Sequence, residues 1–161
     1  MRRSLRGRIS RRCSLVGIYD RTMLPEPVMT AIELEDFVAA AFSHAPRTYL
    51  CDAVTEAGVI LRLPIGTEHG RPGGTVSGPS MMGLADAAAW LATLSRIGPV
   101  ALAVTTSLNI NFLRKPPIAD IEAHADLIKL GKRLSVSEVR VISTATKEVV
   151  AHATVTYSIP A

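Results

Sequence analysis

Residues 79 to 94 form a nearly unbroken run of apolar and small side chains in which Asp86 is the only charged residue. A run of this length without a polar face predicts a helix that is buried on all sides, so the rest of the chain must wrap around it. The run is shorter than the roughly 20 apolar residues that span a bilayer, and no membrane association is expected. Because burying an unpaired carboxylate is costly, Asp86 must be paired, protonated or used in chemistry.

The residues just ahead of this helix predict a site for a negatively charged or carbonyl oxygen. Gly74 and Gly78 give a permissive backbone, and Pro79 suits the first helical position because it has no N–H to leave unpaired. The N–H groups at a helix N-terminus, together with the helix dipole, favour such an oxygen. With Asp86 two turns further on, the arrangement suggests oxyanion stabilisation beside a general base or nucleophile. A tight turn with a structural carboxylate is the alternative interpretation.

Beyond residue 97 the hydrophobic period changes from that of a helix to the two-residue alternation of strands. The first strand is expected to end before Pro116-Pro117. Its two faces alternate, and the more apolar one is expected to cover the helix. That face carries Leu102, Val104, Thr106, Leu108, Ile110 and Phe112, and the opposite face carries Ala103, Thr105, Ser107, Asn109 and Asn111.

Three more strands are expected after this one. The second extends from Ile118 to Leu130 and is followed by a hairpin turn at Gly131-Lys132-Arg133. In the third strand the apolar phase changes between Val136 and Val139, which predicts a β-bulge. The last strand covers residues 149 to 159.

The first third of the chain predicts smaller elements. Thr30 followed by Glu33 indicates a capped helix, which is expected to end near residues 44 to 46. Two short strands are expected between residues 48 and 65, with a turn at 56–58. Residues 66–77 are rich in glycine and lack periodicity, so they are interpreted as a loop of the kind that commonly carries function.

A long buried helix combined with antiparallel strands predicts an α+β protein with a hotdog fold, in which an antiparallel sheet wraps around a long central helix. Such a sheet has open edges. Pairing with a second copy of the chain would cover one of them, so at least a dimer is expected.

The positive charge of the chain is concentrated at its start. The net charge is +4, yet seven arginines and one aspartate lie within the first 22 residues, so the remainder is slightly acidic. Residues 1–28 are interpreted as a basic, disordered leader, with Met23 or Met29 as an alternative start, and residues 29–161 as one globular domain. A leader this short cannot form a helix-turn-helix domain, so no nucleic-acid partner is expected.

The two cysteines, Cys13 and Cys51, have neither metal-ligand nor redox-motif spacing. No other spacing suggests a metal site, so no metal is expected. Cysteine usage of this kind indicates a reducing compartment, and we expect a cytoplasmic protein.

Two segments carry a resemblance to a known family. Ser77-Gly78-Pro79 with the following Leu84-Ala85-Asp86-Ala87-Ala88, and then the stretch from Leu108 to Pro116, resemble the PaaI-type hotdog acyl-CoA thioesterases. The resemblance extends from about residue 30 to residue 159. It implies a thioester hydrolase that converts an acyl or aromatic acyl-CoA into free acid and CoA without a cofactor. It also implies a homodimer or homotetramer with the site at the subunit interface.

The resemblance also implies roles for individual residues. The family's acid falls on Asp86, which would act from the partner subunit as a general base or as a nucleophile. Its oxyanion donor, a backbone N–H, falls on Gly78. A hydroxyl that orients water falls on Thr105, with Thr106 as the adjacent choice.

The loop before the helix departs from the family pattern. The family has His-Gly-Gly where this chain has Ser77-Gly78-Pro79, so Ser77 replaces the histidine and is assigned to substrate binding. A further polar group that the family takes from this loop falls on His69 or on Arg71, and His69 is taken as catalytic.

Cations are expected near the phosphates of CoA. The candidates lie at strand ends and in the hairpin, where Lys132 and Arg133 resemble the family's basic pair and Arg114 follows the first long strand. Ordinary solvated charges are the alternative interpretation for all three. Met81, Met82 and Trp90 are expected to pack in the core rather than to line an acyl pocket.

A non-catalytic acyl-CoA-binding protein, a sensor or carrier on the same fold, is the main functional alternative. The presence of Asp86 favours the enzyme. A hotdog dehydratase would need an Asp–His pair that no motif here supplies.

Overall fold

The computed structural model describes residues 24–42 and 48–161, and the predicted helix end near residue 44 and the first 23 residues of the predicted leader lie outside them. Two helices and eight strands are defined in this part of the chain, together with a single 3-10 turn at Thr67–His69. In chain order they are α1 Ala31–Ala41, β1 Leu50–Val54, β2 Gly58–Leu63, β3 Gly70–Arg71, β4 Thr75–Val76, α2 Gly78–Ile97, β5 Val104–Phe112, β6 Ile121–Leu130, β7 Leu134–Ser143 and β8 Val149–Ser158.

Six of the strands form one antiparallel sheet in the order β1-β2-β6-β7-β8-β5. The sheet wraps around α2, which packs against β2, β5, β6, β7 and β8. This is the hotdog arrangement expected from the sequence, and the fold prediction is confirmed. The two remaining strands, β3 and β4, form a small hairpin directly ahead of α2. The sheet edges are β1 and the longer β5.

Helix α1 begins with the capping box expected from the sequence. The backbone N–H of Glu33 donates to the Thr30 hydroxyl at 3.3 Å, and the Thr30 backbone N–H donates to the Glu33 carboxylate at 2.8 Å. These bonds also lower the pKa of Glu33, since they favour its ionised form.

Helix α2 is buried unevenly. From Leu91 to Arg96 every residue is buried, as expected for a central helix. Nearer its start, one face is only partly covered, and Asp86 lies on that face. The helix continues past the apolar run and includes the buried Arg96, and it ends at Gly98 (φ +88°), where the hydrophobic period of the sequence changes.

Strand β5 corrects one sequence-based prediction. Thr105 pairs with Tyr157 and Ser107 with Thr156, so Thr106 is an extra residue that forms a bulge. The bulge reverses the alternation in the first part of the strand. Thr105, like the buried Ala103, therefore lies on the side of α2, whereas Leu102 is 75% exposed. The predicted phase holds only from Leu108 onward, where Leu108 and Ile110 pack against the core.

Strand β7 corrects a second prediction, because it alternates without a phase change from Ser135 to Ser143. Ser135 and Ser137, rather than Leu134 and Val136, are the buried residues of its first half. The irregularity lies in the neighbouring β6, where Ile128 is the extra residue between Leu127 and Lys129. Small serines fit here because the sheet approaches α2 closely, and the Thr93 hydroxyl donates to Ser135 Oγ at 2.8 Å.

Residues 24–28 pack against the end of α2, where the Val28 N–H donates to the Ser95 carbonyl at 2.7 Å. The predicted boundary at residue 28 stays a prediction. Within the described residues, neither helix is long and apolar enough to cross a membrane.

Candidate active site

Asp86 is held by two hydroxyl groups from different strands. Thr105 Oγ1, from β5, donates to Asp86 Oδ1 at 2.8 Å. The Tyr157 hydroxyl, from β8, donates to the same Oδ1 at 2.8 Å and also lies 3.1 Å from the Asp86 backbone carbonyl. The carboxylate that the sequence left without a partner is therefore paired.

The fold brings these three residues together through one rung of the sheet. Thr105 lies opposite Tyr157 in the β5–β8 pair, so both side chains leave the sheet on the side that faces α2. The bulge at Thr106 is what puts Thr105 on that side. Asp86 meets the two hydroxyls because it lies on the partly open face of α2, two turns from the helix start.

A cavity of about 730 Å³ begins at Asp86 and extends between α2 and α1. Asp86, Thr105 and Tyr157 lie in its wall. The rest of the lining is mostly aromatic or aliphatic, and its main contributors are Val38, Phe42, Tyr49, Ala87, Trp90 and Leu91. Trp90 was expected to be a core residue but lies in this wall, where its ring contacts Phe37 and Phe42 at centroid distances of 6.0 and 5.9 Å.

Both tyrosines at the cavity are held in their neutral form. Burial raises the pKa of Tyr157, and the adjacent Asp86 charge raises it further, while a hydrogen bond with Thr105 acts in the opposite direction. Burial also raises the pKa of Tyr49, again with a contribution from Asp86. Each phenol therefore remains a hydrogen-bond donor at neutral pH.

The start of α2 has the features of an oxyanion site. Ser77 is the N-cap residue, and its hydroxyl accepts from the Ser80 N–H at 3.4 Å. The Gly78 N–H has no acceptor among the described residues, and Pro79 has no N–H to offer. Gly78 lies directly beside Phe112, since a Cβ at position 78 would be 3.4 Å from the Phe112 ring, an ordinary van der Waals contact.

His69 lies next to this helix start through its backbone. Its carbonyl accepts from the Ser77 N–H at 2.8 Å, which ties the loop to the helix cap. Its ring Nδ1 accepts from the Gly66 N–H at 2.9 Å, within the loop itself. The structure thus gives His69 a loop-building role, and its predicted catalytic role stays a prediction. Arg71, the alternative, is exposed in the β3–β4 hairpin.

Gly78 and Asp86 cannot act on the same carbonyl group within one chain. Eight residues separate them on α2, which corresponds to about 12 Å along the helix axis. Gly78 lies beside Phe112 at the end of β5, whereas Asp86 lies beside Thr105 at its beginning.

The predicted phosphate-binding cations lie at opposite ends of the sheet. Arg114 follows the end of β5 and is anchored by a 2.8 Å bond from Nη1 to the Val149 carbonyl and a 3.3 Å contact with Glu148. Lys132 and Arg133 are exposed in the β6–β7 hairpin, close to the end of β8. One chain does not bring the three cations together.

The histidines on the sheet have local partners. His152 Nε2 lies 2.8 Å from Glu138, and His124 Nε2 lies 3.4 Å from Glu122. In the described part of the chain, no group of three or more His, Cys, Asp or Glu side chains could hold a metal ion.

Tyr157 and Tyr49 were not predicted as site residues from the sequence. Tyr157 lies within the predicted last strand, residues 149 to 159. A polar hydroxyl on the inner face of a strand needs a partner, and that requirement was the available signal. Tyr49 gave no such signal, because it precedes β1 in an irregular segment.

Comparison with known proteins relates the chain to thioesterases. The model of the thioesterase superfamily matches residues 73–150. A Silicibacter protein described as a putative thioesterase is 38% identical, with a TM-score of 0.77 over 84% of this chain and 95% of that one. No curated protein matches the sequence significantly.

Two more distant structures share the fold alone. A Haemophilus influenzae thioesterase is 21% identical, with a TM-score of 0.72 over 86% of this chain and 95% of that one. A mutant of the phenylacetic acid degradation protein PaaI from Thermus thermophilus is 24% identical, with a TM-score of 0.61 over 70% of this chain and 93% of that one.

Proposed function

The chain belongs to the thioesterase superfamily, and from this membership and the site geometry we propose that it is an acyl-CoA thioesterase, which hydrolyses an aliphatic or aromatic acyl-CoA to free acid and CoA. The expected resemblance to the PaaI-type hotdog thioesterases is confirmed. The observation that carries the proposal is the Asp86 carboxylate, oriented by two hydroxyls at one end of an apolar cavity.

Asp86 supplies the basic or nucleophilic oxygen. As a general base it takes a proton from a water molecule whose oxygen attacks the thioester carbonyl carbon. As a nucleophile its own oxygen attacks the same carbon and forms an anhydride that water then hydrolyses. In both routes the carbon–sulfur bond breaks, CoA leaves as a thiolate that is then protonated, and the acid is released.

The oxyanion donor comes from a second copy of the chain. Strand β5 is a sheet edge, and antiparallel pairing with its symmetry mate would continue the sheet across a twofold axis. The beginning of one β5 then lies beside the end of the other. Asp86, next to Thr105, thereby approaches Gly78 of the partner subunit, next to Phe112 of the partner subunit. This pairing removes the separation of about 12 Å within one chain and places a backbone N–H where charge develops on the carbonyl oxygen.

The same pairing brings the three separated cations, Arg114, Lys132 and Arg133, to one opening of the site. Arg114 of the partner subunit, just past the end of its β5, approaches the end of the sheet where β8 finishes and the Lys132–Arg133 hairpin lies. Three cations around one opening suit the phosphates of CoA. Ser77 caps the helix that carries Gly78, and its contact with substrate stays a prediction.

The acyl group is assigned to the cavity between α1 and α2. Its volume of about 730 Å³ and its aromatic and aliphatic wall suit an apolar chain or ring. A reducing, cytoplasmic setting fits the unpaired, buried thiol of Cys51.

The test is release of CoA from short, long and aromatic acyl-CoAs by the wild type and by Asp86→Asn. Asparagine keeps the size of the side chain and still accepts from both hydroxyls, so the fold is expected to survive. Turnover should fall by about 100-fold or more, since the base or nucleophile is lost. The matched control is Asp52→Asn, which removes a carboxylate that pairs with Arg62 on the surface.

The control should keep wild-type turnover. If Asp86→Asn also keeps it, the proposal is wrong. Tight acyl-CoA binding without turnover in the wild type would instead identify a sensor or carrier.

A further inference from the structure

Tyr157 is the hydrogen-bonding partner of Asp86 that comes from the last strand, β8, and the proposed mechanism gives it no role. Its ring is 5% exposed and packs in the core, so only its hydroxyl reaches the site. That hydroxyl lies 2.8 Å from Asp86 Oδ1 and 3.1 Å from the Asp86 carbonyl. It therefore contacts both the side chain and the backbone of the same residue.

The two hydroxyls that donate to Oδ1 make the two oxygens of the Asp86 carboxylate chemically different. Thr105 and Tyr157 both donate to Oδ1, whereas Oδ2 accepts no hydrogen bond from any described residue. An oxygen with two donors is a weaker base and nucleophile than one with none, because its lone pairs are already engaged. The reacting oxygen is then Oδ2.

We propose that Tyr157 is a positioning residue for Asp86, which holds the carboxylate by Oδ1 and leaves Oδ2 to act on water or on the thioester. This inference rests on the proposed function. It adds a residue that acts through Asp86 and does not touch the substrate.

Burial supports this role. A buried phenol that stays protonated can only donate to the carboxylate, and the pKa of Tyr157 is raised well above its ordinary value by burial. A donor of this kind stabilises the negative charge on Asp86.

The other groups that face Asp86 do not replace this donor. Thr105 supplies the second hydroxyl but no charge. Tyr49, ahead of β1, and Glu35, from α1, line the same cavity, and no described Lys, Arg or His side chain lies in its wall. Glu35 accepts from the Cys51 N–H at 2.7 Å, so at least one of its oxygens is already engaged.

The main experiment compares the wild type with Tyr157→Phe, which removes one oxygen and keeps the buried ring. We expect kcat to fall by roughly 10- to 100-fold, the value of a lost hydrogen bond to a charged group. KM should change little, because the substrate does not contact Tyr157.

Tyr49→Phe is the matched control. It also removes a phenol hydroxyl from the cavity wall, but no hydrogen bond joins Tyr49 to Asp86 among the described residues. Its effect should fall on KM rather than on kcat, because Tyr49 lines the cavity assigned to the acyl group. An equal fall in kcat in both variants would overturn the proposal, because the effect would then be one of cavity polarity.

A readout that does not need activity separates this inference from the proposed function. The carboxyl carbon of Asp86 can be followed by NMR after labelling of aspartate, with Asp86→Asn as the assignment control. We expect its resonance at a fixed neutral pH to move in Tyr157→Phe, because Oδ1 has lost a donor, and to stay in place in Tyr49→Phe. An unmoved resonance in Tyr157→Phe would overturn the positioning role even in an active enzyme, and a moved one would support it even if no acyl-CoA is hydrolysed.

A second variant covers the case in which Tyr157→Phe does not fold. A fluorinated tyrosine at position 157 keeps the hydroxyl and makes it a stronger donor. It should move the Asp86 carboxyl resonance away from its wild-type position, because the hydrogen bond to Oδ1 is strengthened, and an unmoved resonance would contradict the proposal.

Discussion

Asp86 obtains its chemical character from residues that are distant in the sequence. Its position in an apolar helix shows only that the carboxylate must be paired, protonated or used in chemistry. Thr105 and Tyr157, 19 and 71 residues away, pair it by donating to one of its oxygens. At this scale, function depends on which side chains meet, and neighbours along the chain do not determine it.

Cys51 allows a prediction about pH at the same scale. It is 6% exposed, and burial, with contributions from the charges of Glu35 and Asp52, raises the pKa of its thiol to about 11. The folded protein thus keeps a proton that the unfolded chain releases nearer pH 9. Stability should therefore fall as the pH rises between about 9 and 11.

The measurement is the urea midpoint as a function of pH, in a Cys13→Ser background so that Cys51 is the only thiol. As the pH rises over that range, the variant Cys51→Ala should lose less stability than the parent protein that keeps Cys51. Alkylation of Cys51 at pH 8 should be slow in the folded state and fast in urea. Equal pH slopes in the two proteins, or rapid alkylation of the folded one, would refute the prediction.

At the scale of elements, α2 combines two environments. Its second half is enclosed by the sheet, and its first half is left partly open and carries the site. The enclosed end contains Arg96, which donates to the carbonyls of Pro25, Thr55 and Glu56 at 2.7 to 2.8 Å. One guanidinium therefore joins α2 to the segment before α1 and to the β1–β2 turn.

Replacing Arg96 by Met should destabilise the protein by about 3 kcal/mol, because the carbonyls of Pro25, Thr55 and Glu56 lose a charged donor. Urea unfolding would measure this as a lower midpoint. Lys129→Met removes an exposed cation from β6 and should change the midpoint little. Similar losses in both variants would show that the Arg96 contacts contribute nothing specific.

At the scale of the whole molecule, one chain leaves its sheet and its site incomplete. The edge strand β5 is flanked by apolar side chains that solvent reaches, among them Leu102 (75% exposed) and Leu113 (52% exposed). An interface at this edge would cover these side chains and unite Asp86 with Gly78 of the partner subunit. Assembly and catalysis should therefore be lost together.

The double variant Leu102→Glu/Leu113→Glu places charges at both ends of this edge. We expect light scattering to give a monomer, with turnover reduced at least as far as in Asp86→Asn. Ile32→Glu is the control, because Ile32 is 73% exposed on α1, away from β5. It should keep the mass and the activity of the wild type. A monomer that retains full turnover would exclude a site shared between subunits.

The sequence predicted the helices and strands better than it predicted which face of each strand is buried. The capped helix, the central helix and the alternating strands depend on local periodicity and capping, which the chain displays directly. The bulge at Thr106 was not predicted, because Thr105, Thr106 and Ser107 are similar small hydroxyl residues and fit either phase of the alternation. The bulge predicted in β7 was wrong, since buried serines were taken for exposed ones and the irregularity belongs to β6.

The sequence by itself determined the hotdog architecture, the helix start and the position of Asp86, because hydrophobic period, glycine, proline and a single buried charge are local signals. Only the tertiary structure decided what Asp86 contacts. Tyr157 reaches it because antiparallel pairing and a one-residue bulge put two hydroxyls on the same rung. Such a meeting depends on strand register, and register is fixed by the packing of the whole sheet around the helix rather than by any single segment.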